Sequence, residues 1–260
     1  MIGRSNWLVL ATTICLLCCG CQTQRTEHVQ AFQRALDRFD AAKTPQDYLQ
    51  CAAIYQEIID SGTVSGAVYF NQGNAFAKAN QKGRAIASYR QALKYRPNDR
   101  YLKTSLKNIA GDAIERKPLI EHLCFWQNWI SYPLKFQLAF GFLLITLVAA
   151  LLRTYWALLK DADQFLWLRK VAMVSGALAI VALGSVAYDW YRFDYLERGV
   201  IVQNNVVARK GNSSTYEPAF QTPLEETTEF IVEETRNEWA LIRLENGHTG
   251  WVPLTSIVVY

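Results

Sequence analysis

The chain has 260 residues and a formal net charge of +4, too little for a dedicated nucleic-acid binder, which concentrates Lys and Arg on one face. An ordinary mean hydropathy conceals two apolar blocks separated by three polar stretches. Three scattered histidines (His28, His122, His248) give no metal-ligand spacing. Four of the six cysteines (Cys15, Cys18, Cys19, Cys21) crowd the N-terminus, which excludes a six-cysteine disulfide framework.

Residues 1–20 have the anatomy of an export signal. Arg4 supplies the positive end, Trp7 to Cys19 is a charge-free apolar run, and Gly20 is the small residue before a cut. The run is short for a membrane span. Leu17-Cys18-Cys19-Gly20-Cys21 resembles a lipobox, with Cys18 where leucine is usual. The resemblance implies acylation of Cys21; an ordinary cleaved signal and a retained anchor helix stay open beside it.

Residues 22–116 predict an all-α helical repeat. From Gly66 to Asp99 apolar and small residues recur at helical spacing (Tyr69, Gly73, Phe76, then Ala85, Tyr89, Ala92), and Pro97 stops the second helix. A shift of 34 residues maps Tyr89 onto Tyr55, Ala85 onto Cys51 and Ala92 onto Ile58, while Arg100 to Ile114 reads as a capping helix. The pattern resembles the TPR repeat, whose small residues let paired helices approach closely. Cys51 then fills a buried slot as a packed hydrophobe. The resemblance implies peptide binding along the inner face, with Phe70, Asn71, Asn74, Lys78 and Asn108 as groove candidates. Asparagine amides pair with backbone donors and acceptors, and Lys78 suits a carboxylate. Solvated helix residues are the plainer alternative.

A linker and interfacial segment (117–135) leads to two charge-poor apolar runs, expected as transmembrane helices at 136–156 and 171–191. Trp126, Trp129 and Tyr132, with Tyr188, Trp190 and Tyr191, form an aromatic belt at one interface; Tyr155, Trp156 and Trp167 mark the other. Arg153, Arg169 and Lys170 flank the connector (157–170), which assigns it to the cytoplasm by the positive-inside rule. Both larger modules then face the periplasm, where the export signal also sends the N-terminal one. Gly176, Ala177, Gly184 and Ser185 are small residues able to seat a neighbouring helix or the first span.

Residues 199–260 change to short alternating runs broken by turn residues, the pattern of a small β-barrel. Asn246-Gly247 predicts a hairpin. Val206-Val207-Ala208-Arg209-Lys210-Gly211 and Gly247-His248-Thr249-Gly250-Trp251-Val252 resemble the hallmark segments of bacterial SH3 domains. Trp251 is expected in the core and Trp239 in an exposed binding groove.

Leader, TPR-like array, paired apolar helices and SH3-like terminus, with Tyr69-Phe70-Asn71-Gln72-Gly73-Asn74-Ala75-Phe76 in the repeat, resemble the BatE-like proteins of bacterial aerotolerance operons. That resemblance implies a non-enzymatic inner-membrane adaptor. Its partners would be von Willebrand A-domain membrane proteins and a MoxR-type ATPase system, in envelope-stress tolerance or complex assembly. Peptidoglycan binding by the SH3-like module, as an envelope sensor, is the alternative. No nucleophile–base pair, carboxylate pair or usable dithiol calls for catalysis, and no motif calls for a cofactor or metal.

Overall fold

The computed structural model describes residues 29–111, 125–158 and 166–260. The leader, Cys21 and the middle of the connector lie outside the described residues, as do His122 and Cys124.

Five helices open the described chain: α1 (29–41), α2 (Pro45–Asp60), α3 (Gly66–Lys78), α4 (Lys82–Tyr95) and α5 (Arg100–Ala110). Their starts follow from local chemistry. Thr44 and Asp47 form a reciprocal capping box around Pro45, Ser65 accepts from the Val68 N–H, and Asp99 accepts from Tyr101 and Leu102. Asn80, with φ of 60°, reverses the chain between α3 and α4. Gln81, before α4, makes no side-chain cap.

Burial repeats at the 34-residue shift. Tyr55 and Tyr89, Cys51 and Ala85, and Ile58 and Ala92 are all buried. Gly73 is required where α3 meets α4, because a Cβ there would lie 2.6 Å from the Tyr89 ring. Each buried tyrosine brings a large apolar surface, on the order of 2 kcal/mol of transfer free energy. α5 lays Leu102 and Leu106 on α4 and leaves Lys103, Lys107 and Asn108 exposed.

Two long apolar helices follow a short 3₁₀ turn (Phe125–Asn128). These are α6 (Tyr132–Leu158) and α7 (Leu166–Trp190), the latter continued by a π-helical turn, Tyr191–Tyr195. Only 17 % and 11 % of their most apolar windows are buried. A soluble core helix would bury most of that surface, so length, composition and exposure together suit a bilayer. The helices meet through small residues. Ala139 and Ala149 are buried with Ser175 and Ala179, and the Thr146 and Ser175 hydroxyls lie 2.8 Å apart. Gly176 faces Thr146 of α6 and Ser185 meets Gln127 of the 3₁₀ turn, whereas Ala177 and Gly184 are exposed.

The C-terminal unit is a five-stranded antiparallel sheet, β1 (Arg198–Ile201), β2 (Glu229–Arg236), β3 (Trp239–Leu244), β4 (Thr249–Pro253) and β5 (Ile257–Val259), in the order β4-β3-β2-β1-β5. The hairpin at Asn246-Gly247 forms as expected, with Gly247 at φ +84°. The expected barrel closure does not. The outer edge of β4 is taken by Arg209, which exchanges two 2.8 Å backbone bonds with Trp251, and β5 has only three residues. Trp251 also departs from its expected core position. Strand alternation turns Gly250 and Val252 inward, and Ala208 and Ala219 sit 3.0 and 3.2 Å from where a Gly250 Cβ would be. The core is filled by Phe230 and aliphatic residues including Ile201, Ile242 and Val252. Trp251 lies half-buried on the other face, with the Arg236 guanidinium 5.9 Å from its ring centroid.

Candidate functional site at the junction of helices, sheet and apolar pair

The groove candidates of the helical array are half-buried on α3 (Phe70, Asn71, Asn74) or exposed (Lys78 on α3, Asn108 on α5). Phe70 is half-buried, its ring 5.8 Å from that of Tyr89 and covered by the Arg96 guanidinium. Asn74 accepts the Tyr89 hydroxyl at 2.8 Å, and the Asn71 amide stands beside the Tyr55 hydroxyl. Phe70 and Asn74 are thus engaged within the array. Lys78 and Asn108 are exposed, on α3 and α5 respectively. Burial pushes the Tyr55 and Tyr89 hydroxyls up to about 12. Cys51 is fully buried, and desolvation raises its thiol, the opposite of a reactive cysteine.

On the sheet, Trp239 is half-buried at the start of β3. The register places Leu241 opposite Trp251 and Trp239 opposite Pro253, so these four residues share the face away from the core. Trp239 is therefore joined by a second tryptophan on one surface.

A more densely built region joins the modules, and sequence reasoning missed it. α4 lies directly on the sheet. A Cβ on Gly83 would come 2.4 Å from the Ile201 carbonyl oxygen, so only glycine permits this approach. The Gly83 N–H donates to Glu226 at 2.9 Å, which supplies from the sheet unit the cap that Gln81 does not. Two turns further, Arg90 grips Glu229 through two bonds of 2.8 and 2.7 Å, and the Tyr260 hydroxyl donates to the same carboxylate. Burial first, then the Glu229 charge, pushes the Tyr260 hydroxyl well above its ordinary value. Val200 of β1 belongs to the apolar cluster of α4, and Val258 and Tyr260 pack against it.

The same helix reaches the apolar pair. Lys94 pairs with Asp194 at 2.5 Å and sits 5.1 Å from the Tyr132 ring centroid. Beneath it, Lys135 of α6 and Asp189 of α7 form an ion pair at 2.5 Å with both side chains almost completely buried. Lys135 also donates to the Gln127 carbonyl. The Gln127 amide donates to Asp189 and to the Ser185 carbonyl, and the Ser185 hydroxyl donates to Gln127 Oε1. Every member of this network has a partner, the condition under which buried polar groups specify one arrangement. Opposite charges at matched ends of two antiparallel apolar helices were a readable signal for it.

A cavity of about 350 Å³ opens among α4, α5, the 3₁₀ turn, the ends of the apolar pair, β1 and Tyr260. Among the described residues no group of three His, Cys, Asp or Glu side chains converges to hold a metal ion. No protein-family model, curated protein or solved structure matches the chain.

Proposed function

We propose that this protein is a periplasm-facing inner-membrane scaffold. A TPR-like array and an SH3-like module, on two transmembrane helices, bind partner proteins in a Bat-type aerotolerance or envelope-stress complex. One observation carries the reading: α4 contacts the sheet through Gly83 and Arg90 and the apolar pair through Lys94. An adaptor needs binding surfaces held at fixed positions relative to its anchor, and that continuity supplies it. The 34-residue recurrence of buried residues supports the TPR-like part, and the strand pattern with its hairpin supports the SH3-like part.

The test is affinity purification of the tagged full chain after crosslinking in native membranes. The scaffold reading expects von Willebrand A-domain membrane proteins and a MoxR-type ATPase in the eluate. Recovery of the chain alone would overturn it.

Peptidoglycan binding is the second reading, favoured by the Trp239, Leu241 and Trp251 face, since flat aromatic surfaces suit sugar rings. Because Val200 is part of the helical core, the full chain rather than the isolated sheet is the proper reagent for a sacculus pull-down. Retention lost in Trp239→Ala favours the sensor, and absence of retention favours the scaffold.

A further inference from the structure

We infer that the π-helical turn Tyr191–Tyr195 is a latch between the helix-and-sheet unit and the apolar pair, closed by Lys94 of α4 and opened when the turn returns to α-helical register. The inference rests on the continuity through α4 that supports the scaffold, and gives that continuity two states.

Helical register carries the argument. Tyr132 and Lys135 stand three residues apart at the start of α6, and so on one face of it. That face is met by residues five apart in the chain of α7 and its π turn. Asp189 holds Lys135 at 2.5 Å, and Asp194 accepts the Tyr132 hydroxyl at 3.2 Å. A regular α-helix does not give this match, because five residues at 3.6 per turn carry the second side chain about 140° round the axis. The wider turn removes the conflict. The Leu196 N–H donates to the Tyr191 carbonyl at 3.0 Å, an i→i+5 bond that swings Asp194 back towards the side of Asp189.

Single π turns are rare and frequent at functional sites, so this one calls for a contact that holds it. Lys94 supplies that contact. Its ammonium donates to Asp194 at 2.5 Å and stands 5.1 Å from the Tyr132 ring centroid, so one cation closes on both residues that the wide turn brings together. With Lys94 withdrawn, the charge favouring the wide register is gone and regular α bonding takes over, rotating Asp194 off the face of Tyr132. The exposed Tyr191 and Tyr195 rings, stacked 5.4 Å apart, do not oppose the change, since residues four apart are neighbours on an α-helix too. The movement is transmitted in both directions. β1 begins at Arg198, three residues after the turn ends, and Glu226 and Glu229 of the sheet unit hold α4 at Gly83 and Arg90. A change of register in the turn therefore rotates sheet and array together against the apolar pair, as a step between two discrete arrangements rather than a gradual bend.

The experiment uses the full chain in lipid nanodiscs. Hydrogen exchange resolved to single amides reads the turn. Electron spin distances, between labelled unnatural amino acids at the exposed positions Lys210 of the sheet unit and Leu151 of α6, read the unit against the pair. Wild type should show protected amides at Tyr195 and Leu196 and one main distance. Lys94→Met should speed exchange at those two amides about fivefold or more, the scale of a partly buried ion pair with its aromatic contact, and add a second distance. Exchanging the charges, Lys94→Asp with Asp194→Lys, should restore protection and the single distance, which a variant that merely disturbs packing does not do. Wild-type exchange and a single distance in Lys94→Met would overturn the latch. Faster exchange along α4 with Tyr191–Leu196 unchanged would overturn it too, by making Lys94 a stabiliser of its own helix, as would a charge exchange that restores neither readout. Each of these failures leaves the scaffold reading standing, since that reading is decided by the crosslinked partners and not by the register of the turn.

Discussion

The Gly83 backbone N–H donates to the Glu226 carboxylate at 2.9 Å across 143 residues of chain, so the start of α4 is capped by the sheet unit. This contact makes Gly83→Ala informative. In an isolated helix alanine would be more favourable than glycine by about 1 kcal/mol. Here the new Cβ would meet backbone at 2.4 Å and force α4 off β1. The expected outcome is a loss of about 1–3 kcal/mol, the usual scale of overpacking, measured by thermal unfolding of the full chain in detergent. A gain in stability would show that helices and sheet are independent units.

Glu226→Ala should cost about 0.5–2 kcal/mol, the range for removing an N-cap. It should also raise protease susceptibility in both the array and the sheet. Cleavage confined to one unit would argue against the shared cap.

Lys135 and Asp189 give a prediction of the opposite character. Replacing Lys135 by Ala leaves a carboxylate buried among α6, α7 and Gln127, and the expected cost is about 3–5 kcal/mol. The double change Lys135→Met with Asp189→Leu should restore most of that stability, since a buried ion pair offsets little beyond its own desolvation. Detergent unfolding of the three variants supplies the comparison. A double variant as unstable as Lys135→Ala would mean that the pair does more than fix the helix register.

Buried tyrosines set the alkaline limit. Tyr55 and Tyr89 are held at about 12, and Tyr260 is also raised. Each keeps its proton in the folded chain at pH values where the unfolded chain has lost it. The stability they contribute is therefore complete below the ordinary tyrosine value of about 10 and is lost as pH rises towards 12. Denaturant unfolding followed across this window should show the decline, with tyrosinate absorbance appearing cooperatively with unfolding. Early, non-cooperative ionisation of all tyrosines would contradict the burial of these three.

What was legible beforehand was what local pattern controls. The 34-residue shift placed Tyr55 over Tyr89 and Cys51 over Ala85 because small and aromatic residues must alternate where helices pack. The apolar pair and the Asn246-Gly247 hairpin were readable for the same reason. Partners distant in sequence were not. Nothing around Gly83 announces that Ile201 will lie against it, and Glu226 looks like one of many surface carboxylates. Trp251 was misplaced because a small barrel needs a large aromatic filler, whereas strand alternation gives the inward positions to its neighbours Gly250 and Val252. Asn71 and Asn74 were read as groove residues from their face of α3; that Asn74 also accepts the Tyr89 hydroxyl of the neighbouring helix was not legible.

That last point sharpens the test of peptide binding. Asn74→Ala leaves the Tyr89 hydroxyl without its 2.8 Å partner, and should cost about 1–3 kcal/mol whether or not a peptide binds. Asn108 is exposed on α5, so Asn108→Ala should leave stability within about 0.5 kcal/mol of wild type. Loss of partner capture in Asn74→Ala alone therefore reports on folding, and the discriminating variants are Asn108→Ala and Lys78→Gln, both at exposed positions. A groove on this array predicts at least about a fivefold weaker capture in one of them with unchanged unfolding, the scale of one lost polar contact. Wild-type capture in both would remove the inner-face groove from the proposed scaffold and leave the sheet face around Trp239 as its binding surface.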